Sequence, residues 1–185
     1  MGLDMLLIKK TYVKNWNFQK DSEKHIINIQ GPLANTIDVN KINCIEEEVA
    51  YWRKANQIHN WFVNNVQNSN DDCAEYFVSI DNLKDLQKIC KTLLNSIILK
   101  DGVVQNGASF ENGDFVPNFE SGKMIMNEEL CEELLPSTKG FFFGSTNYDQ
   151  WYFEDIKNTF EILTEILDSI KNNEDSVSFY YSSSW

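Results

Sequence analysis

A single arginine, Arg53, stands in the densest polar and aromatic block of the chain, Tyr51-Trp52-Arg53-Lys54-Ala55-Asn56-Gln57-Ile58-His59-Asn60-Trp61-Phe62. All the other fixed cations are lysines, in a sequence that also carries 22 asparagines. A guanidinium presents a planar fork of donors that pairs bidentately with phosphate or carboxylate, which an ammonium cannot do. Asn56 and His59 add an amide and an imidazole, and Trp52 adds a ring for stacking. Together these types suit a flat, phosphorylated ligand: a cation for phosphate, amides and rings for a base. A structural Arg paired with a nearby acid is the competing reading of Arg53.

These groups need an element to hold them. At about 100° per residue a helix over 46–67 gathers Ile45, Val49, Trp52, Ala55, Phe62, Val63 and Val66 on one apolar stripe, with Lys54, Gln57 and Trp61 off it. Asn56 and His59 fall inside the stripe. A buried polar group left unpaired costs about 1–3 kcal/mol, so each needs partners, either in the core or on a ligand.

A companion site lies further on. Gly140-Phe141-Phe142-Phe143-Gly144-Ser145 leads into Thr146-Asn147-Tyr148-Asp149-Gln150-Trp151-Tyr152, placing Ser145 and Tyr148 before a helix whose N-terminal N–H groups favour anions. Thr146 with Asp149 also reads as an ordinary capping arrangement. Along that helix, to about Lys171, Tyr152, Ile156, Thr159, Leu163, Ile166 and Ile170 form the core stripe, with Asp155 at its edge in position to pair with Arg53 or Lys54.

The remaining pattern alternates. Residues 3–8 read as a strand apolar on both sides and hence interior to a sheet. A strand or hairpin arm is expected over 25–30, a strand over 75–79, a helix over 81–99 with Asp81 as N-cap, a short strand over 139–144 and a last strand over 176–181. Four of the eight glycines fall in 100–122, so 100–138 is expected to be an irregular insertion. The 185 residues suit one α+β domain, a mixed or antiparallel sheet covered by about three helices.

Composition excludes several classes. A net charge of −12 opposes direct nucleic-acid binding, which draws its affinity from clustered cations on phosphates. No apolar run reaches the ~18 residues of a membrane span, so a cytoplasmic protein is expected, with no membrane partner. Cys44, Cys73, Cys90 and Cys131 are scattered and only His25 and His59 are available, so buried free thiols are expected, with no metal and no cofactor. Phosphate-loop, dinucleotide, nucleophile-elbow and metalloprotease motifs are all missing, and catalysis has no clear seat.

Blocks from both ends and the middle carry a resemblance: Met1-Gly2-Leu3-Asp4-Met5, Tyr51-Trp52-Arg53-Lys54-Ala55-Asn56 with Ile58-His59 and Trp61-Phe62, 140–145 with Tyr148, and Tyr180-Tyr181-Ser182-Ser183-Ser184-Trp185. They are similar to a largely uncharacterised family of small phage and prophage proteins. The resemblance implies accessory proteins that work in the host cytoplasm, many of which counter host defences, and no catalytic residues. In that setting the leading expectation is a sponge that sequesters a nucleotide-type signal through Arg53, Asn56, His59, Trp52, Ser145 and Tyr148. The alternatives are an acidic inhibitor of a host defence protein that mimics nucleic acid, and a small enzyme acting on the signal. The oligomeric state is not legible.

Overall fold

Period-two alternation in the opening segment puts Leu3, Met5 and Leu7 wholly inside while Asp4, Leu6 and Ile8 are only half covered. This is strand β1, Asp4–Tyr12, in the computed structural model, which describes residues 2–111, 114–140 and 142–185. Met1, Asn112, Gly113 and Phe141 lie outside the described residues, and with Phe141 so does one position of the expected 139–144 strand.

β1 is interior, as expected. It pairs antiparallel with β2 (Cys44–Arg53) on one side and with β6 (Val177–Ser184) on the other, and β3 (Tyr76–Val78) adds to β6. The result is a four-stranded antiparallel sheet in the order β2-β1-β6-β3, within a single α+β fold of four α-helices and six strands among the described residues.

β2 corrects the helix expected over 46–67. Residues to Arg53 are extended, Lys54 turns the chain at φ 61°, and only then does α1 run, over Asn56–Asn65. Both readings share Trp52 as an inward residue, which is why periodicity misleads here. The deciding interactions lie across strands: Glu47 faces Lys9 in the ladder and pairs with it at 2.7 Å, while Glu46 faces Lys10 at 3.4 Å. Lys10 also reaches Glu75 at 3.0 Å. Gln57 and Trp61, expected off the apolar stripe, are buried, because α1 is enclosed on nearly every side.

α2 spans Ile80–Ser96 and buries Leu83, Leu86, Cys90 and Leu93. Its cap is Ser79 rather than Asp81: the Ser79 hydroxyl accepts from Asn82 N at 3.1 Å while Asn82 Oδ1 accepts from Ser79 N at 3.2 Å. α4, Gln150–Ile170, buries the expected stripe of Tyr152, Ile156, Thr159, Leu163, Ile166 and Ile170. Here too the cap moves, from Thr146 to Asp149, whose Oδ1 accepts from Trp151 N at 2.9 Å and Tyr152 N at 3.4 Å. α2 and α4 pack on each other and share one core with the inner face of the sheet, where Met5, Leu7, Ala50, Trp52, Val78, Phe179 and Tyr181 point.

The described residues of the expected irregular insertion over 100–138 form a strand pair, β4 (Leu99–Glu111) against β5 (Asp114–Ile125), followed by α3 (Glu128–Leu134), while its positions 112 and 113 lie outside the described residues. Two of its glycines, Gly102 and Gly122, serve close packing. A Cβ on Gly122 would lie 2.6 Å from both Gln150 Oε1 and a Val104 methyl carbon, so this glycine lets the hairpin base seat on the start of α4. Lys123 N donates to Gln150 Oε1 at 2.9 Å, and Ile125 N to Tyr148 O at 3.1 Å.

Among the described residues two expected strands are not formed. Residues 25–30 are irregular and sit in an excursion between β1 and β2 that contains three short 3-10 turns. Both ladder sides of β1 are already taken, and His25 finds its backbone partners instead on the Asn15 side chain, at 2.8 Å in each direction. The described part of 139–144 is likewise irregular, with Phe143 N turned back onto Gly140 O at 3.2 Å. The cysteines are free, but only Cys90 and Cys131 are buried; Cys44 is half-buried and Cys73 is exposed. Burial pushes the Cys90 thiol up to about 12, which keeps it protonated and unreactive. No helix among the described residues is long and apolar enough to cross a membrane.

Candidate functional site

α1 starts directly after the Lys54 turn, so its first residues are carried into the core beside the sheet. Asn56 is buried there and makes three hydrogen bonds to one segment. Its Nδ2 donates to Phe143 O at 3.2 Å and Ser145 O at 2.7 Å, and its Oδ1 accepts from Thr138 N at 3.0 Å. One amide thereby pins Thr138, Phe143 and Ser145 against α1. Tyr148 continues the anchoring: its hydroxyl accepts from Ser137 N at 3.2 Å and its ring meets Tyr152 edge to face.

One turn further along α1, His59 is 1% exposed and uses both ring nitrogens. Nδ1 lies 2.8 Å from the Tyr181 hydroxyl and Nε2 lies 3.0 Å from Asp71 Oδ2. With the Nε2 proton directed at the carboxylate and the Tyr181 hydroxyl at Nδ1, both ring nitrogens are engaged within the protein. Asp71 Oδ1 accepts in turn from the indole N–H of Trp185 at 3.1 Å. The carboxylate is thus held by a donor on each oxygen. The Phe143 ring packs edge-on against both His59, at 5.0 Å, and Trp185, at 6.0 Å.

These groups surround a cleft of about 420 Å³, lined by His59, Asn60, Val63, Asp71, Thr138, Lys139, Gly140, Phe142, Phe143 and Trp185. Its volume lies within the range of small-molecule sites. Lys139 is the lining cation and makes no ion pair among the described residues. The cleft offers aromatic surface, one fixed carboxylate and one ammonium. His59 acts on it from behind, by orienting Asp71, because neither of its nitrogens is left for a ligand.

The six residues singled out in the sequence are therefore distributed. His59 lines the cleft, and Asn56, Ser145 and Tyr148 hold or form the wall segment beside it. Trp52 is 3% exposed in the core, where its Nε1 donates to Thr159 Oγ1 at 2.9 Å. Arg53 lies outside the cleft on the last position of β2, its side chain 61% exposed and 3.8 Å from Asp4, which also accepts from the Tyr51 hydroxyl. Sequence reasoning missed Asp71, Lys139, Tyr181 and Trp185. Asp71 reads as one member of a solvated acidic pair with Asp72, and no local pattern connects it to a tryptophan 114 positions away.

Asp155, expected near Arg53 or Lys54, bonds Gln57 Nε2 at 3.0 Å instead. Burial pushes its carboxyl up to about 6, opposed by the Gln57 bond. The folded state then holds a proton between roughly pH 4 and 6 that the unfolded chain has released, so this group lowers stability as pH rises through that window. Asp155→Asn keeps an acceptor for Gln57 and removes the ionisation. Its melting curve should gain on the order of 2 kcal/mol over the unmodified protein at pH 8 and converge with it near pH 4. Equal differences at both pH values would refute this account.

Among the described residues no group of three or more His, Cys, Asp or Glu is placed to hold a metal ion. The chain matches no protein-family model, no curated protein and no solved structure.

Proposed function

We propose that the protein is a binding protein that captures a small, flat, phosphorylated nucleotide-type ligand in the cleft beside Trp185, as an accessory protein of phage origin directed against a host defence signal. The observation that carries the reading is the composition of that cleft. About 420 Å³ of space is lined by the aromatic residues Phe142, Phe143 and Trp185, with Asp71 and Lys139 in the same lining and the Asp71 carboxylate fixed by Trp185. Rings supply stacking surface, a carboxylate takes base N–H groups, and an ammonium meets phosphate. Capture fits better than turnover because His59 has both nitrogens engaged inside the protein.

One feature favours a second reading, an acidic inhibitor of a host protein. Between positions 102 and 122 the hairpin carries Glu111, Asp114 and Glu120 with no Lys or Arg, and it exposes Val103 and Phe119. The acids of β2 fit that role less well, since Glu46 and Glu47 are paired with Lys10 and Lys9.

Calorimetric titration with a panel of cyclic and linear nucleotides tests the first reading. Trp185→Ala and Lys139→Gln should each weaken binding about tenfold or more, the loss of one stacking or charged contact. Arg53→Lys, outside the cleft, should leave binding unchanged. Failure of every nucleotide to bind, or a loss confined to Arg53→Lys, would overturn the proposal.

A further inference from the structure

The base that this cleft selects is written in the way Asp71 is held. Each of its two oxygens already accepts one protein N–H: Oδ2 from His59 Nε2 at 3.0 Å and Oδ1 from Trp185 Nε1 at 3.1 Å. An ionised carboxylate offers about four lone-pair positions, two on each oxygen. One therefore remains on each oxygen, and the side chain is 26% exposed, on the cleft lining. The carboxylate is not free to rotate, since His59 is itself tied to the Tyr181 hydroxyl at 2.8 Å. What remains is one acceptor position on each oxygen of a fixed carboxylate that lines a site with aromatic residues.

Resting on the nucleotide reading of this cleft, we infer that Asp71 is the base-specificity residue and that the ligand carries guanine. Two parallel N–H donors side by side are the complement of a carboxylate with one lone pair open on each oxygen. Among the common bases only guanine has them on its pairing edge, at N1–H and the N2 amino group. Adenine and cytosine each present a donor beside a bare ring nitrogen, whose lone pair would oppose a carboxylate oxygen. Uracil flanks its single N–H with carbonyl oxygens. Hypoxanthine keeps N1–H and loses only the second donor, which makes it the discriminating probe. A base engaged on Asp71 lies among the Phe142, Phe143 and Trp185 rings, and its phosphate extends to Lys139, the cation of the lining.

The test uses the full chain and three ligands that differ only in the base: GMP, IMP and AMP. Titration of the unmodified protein should show GMP binding at least tenfold tighter than IMP, for one unmade hydrogen bond, and roughly a hundredfold tighter than AMP, which leaves the carboxylate opposed. This comparison needs no variant and so does not depend on one folding. In Asp71→Asn the amide replaces one acceptor by a donor, and the GMP-over-IMP preference should disappear; a melting curve of the same sample confirms that the fold persists. Equal affinities for the three nucleotides, or a preference that survives Asp71→Asn, overturn the inference and leave nucleotide capture standing. Failure of all three, together with every other nucleotide, overturns both.

Discussion

Asn56→Asp should lower stability by about 3–5 kcal/mol at neutral pH, and more than Asn56→Ala, although it changes one atom. The Asn56 Nδ2 group points at two carbonyl oxygens, those of Phe143 and Ser145, the nearer at 2.7 Å. A carboxylate oxygen there turns two hydrogen bonds into two repulsive contacts in a site that is 1% exposed. The Thr138 N–H keeps an acceptor, so the loss falls on the 143–145 side of the clamp. The substitution also carries a pH signature. The introduced carboxyl is buried against acceptors, so its folded pKa is raised; the folded state binds the proton more tightly and stability declines as pH rises. Melting at pH 5 and pH 8 should show a deficit that shrinks at the lower pH. For a chain of this length the deficit at pH 8 corresponds to a drop on the order of 10 °C. A melting temperature within a degree of the unmodified protein would show that the clamp contributes nothing.

Trp52→Ala should cost about 3–5 kcal/mol in denaturant unfolding while leaving ligand affinity intact once the folded fraction is accounted for. The indole fills the space between β2 and α4, meets Phe62 at 5.9 Å between ring centroids, and donates to Thr159. Trp52→Phe should cost much less, about 1–2 kcal/mol. It retains most of the apolar volume, and the Thr159 hydroxyl keeps its own bond to Asp155 O at 2.7 Å. The pair of variants separates packing from ligand contact. A selective loss of binding in Trp52→Phe at unchanged stability would return Trp52 to the ligand site.

Much of the frame is legible in the residue pattern. The α4 stripe emerges residue for residue, because twenty-one residues of consistent spacing leave no second way to bury six of them on one face. The interior position of β1 stems from apolar side chains on both faces, and the last strand from its β-branched and aromatic run. The burial of Asn56 and His59 is legible as well, as is the need of each for partners. Helix starts fall a few residues away from the true caps, since several Ser, Thr, Asn and Asp side chains near each start have equal claim and only backbone geometry chooses among them.

Residues 44–53 show where local pattern fails. Their spacing is compatible with a helix, and what makes them a strand is the ladder with β1, in which Lys9 and Lys10 lie opposite Glu47 and Glu46. The glycines of 100–122 mislead in the same way: alone they signal irregularity, whereas in the fold Gly122 makes room for α4.

The amino-acid sequence by itself determined which side chains must leave water and, for the long periodic elements, which face each one buries. Only the tertiary structure decided which buried polar groups meet. Asn56 was matched to the carbonyls of 143 and 145, and His59 to a tyrosine 122 positions away, because folding brings together groups whose separation along the chain carries no information about their distance in space. Arg53, the most conspicuous residue in the sequence, was left on the surface by the β2 pleat, which turns Trp52 inward and its neighbour out. The cleft passed instead to Asp71, Lys139 and Trp185, ordinary residues in the sequence that share a site only because Asn56 and His59 anchor the surrounding segments.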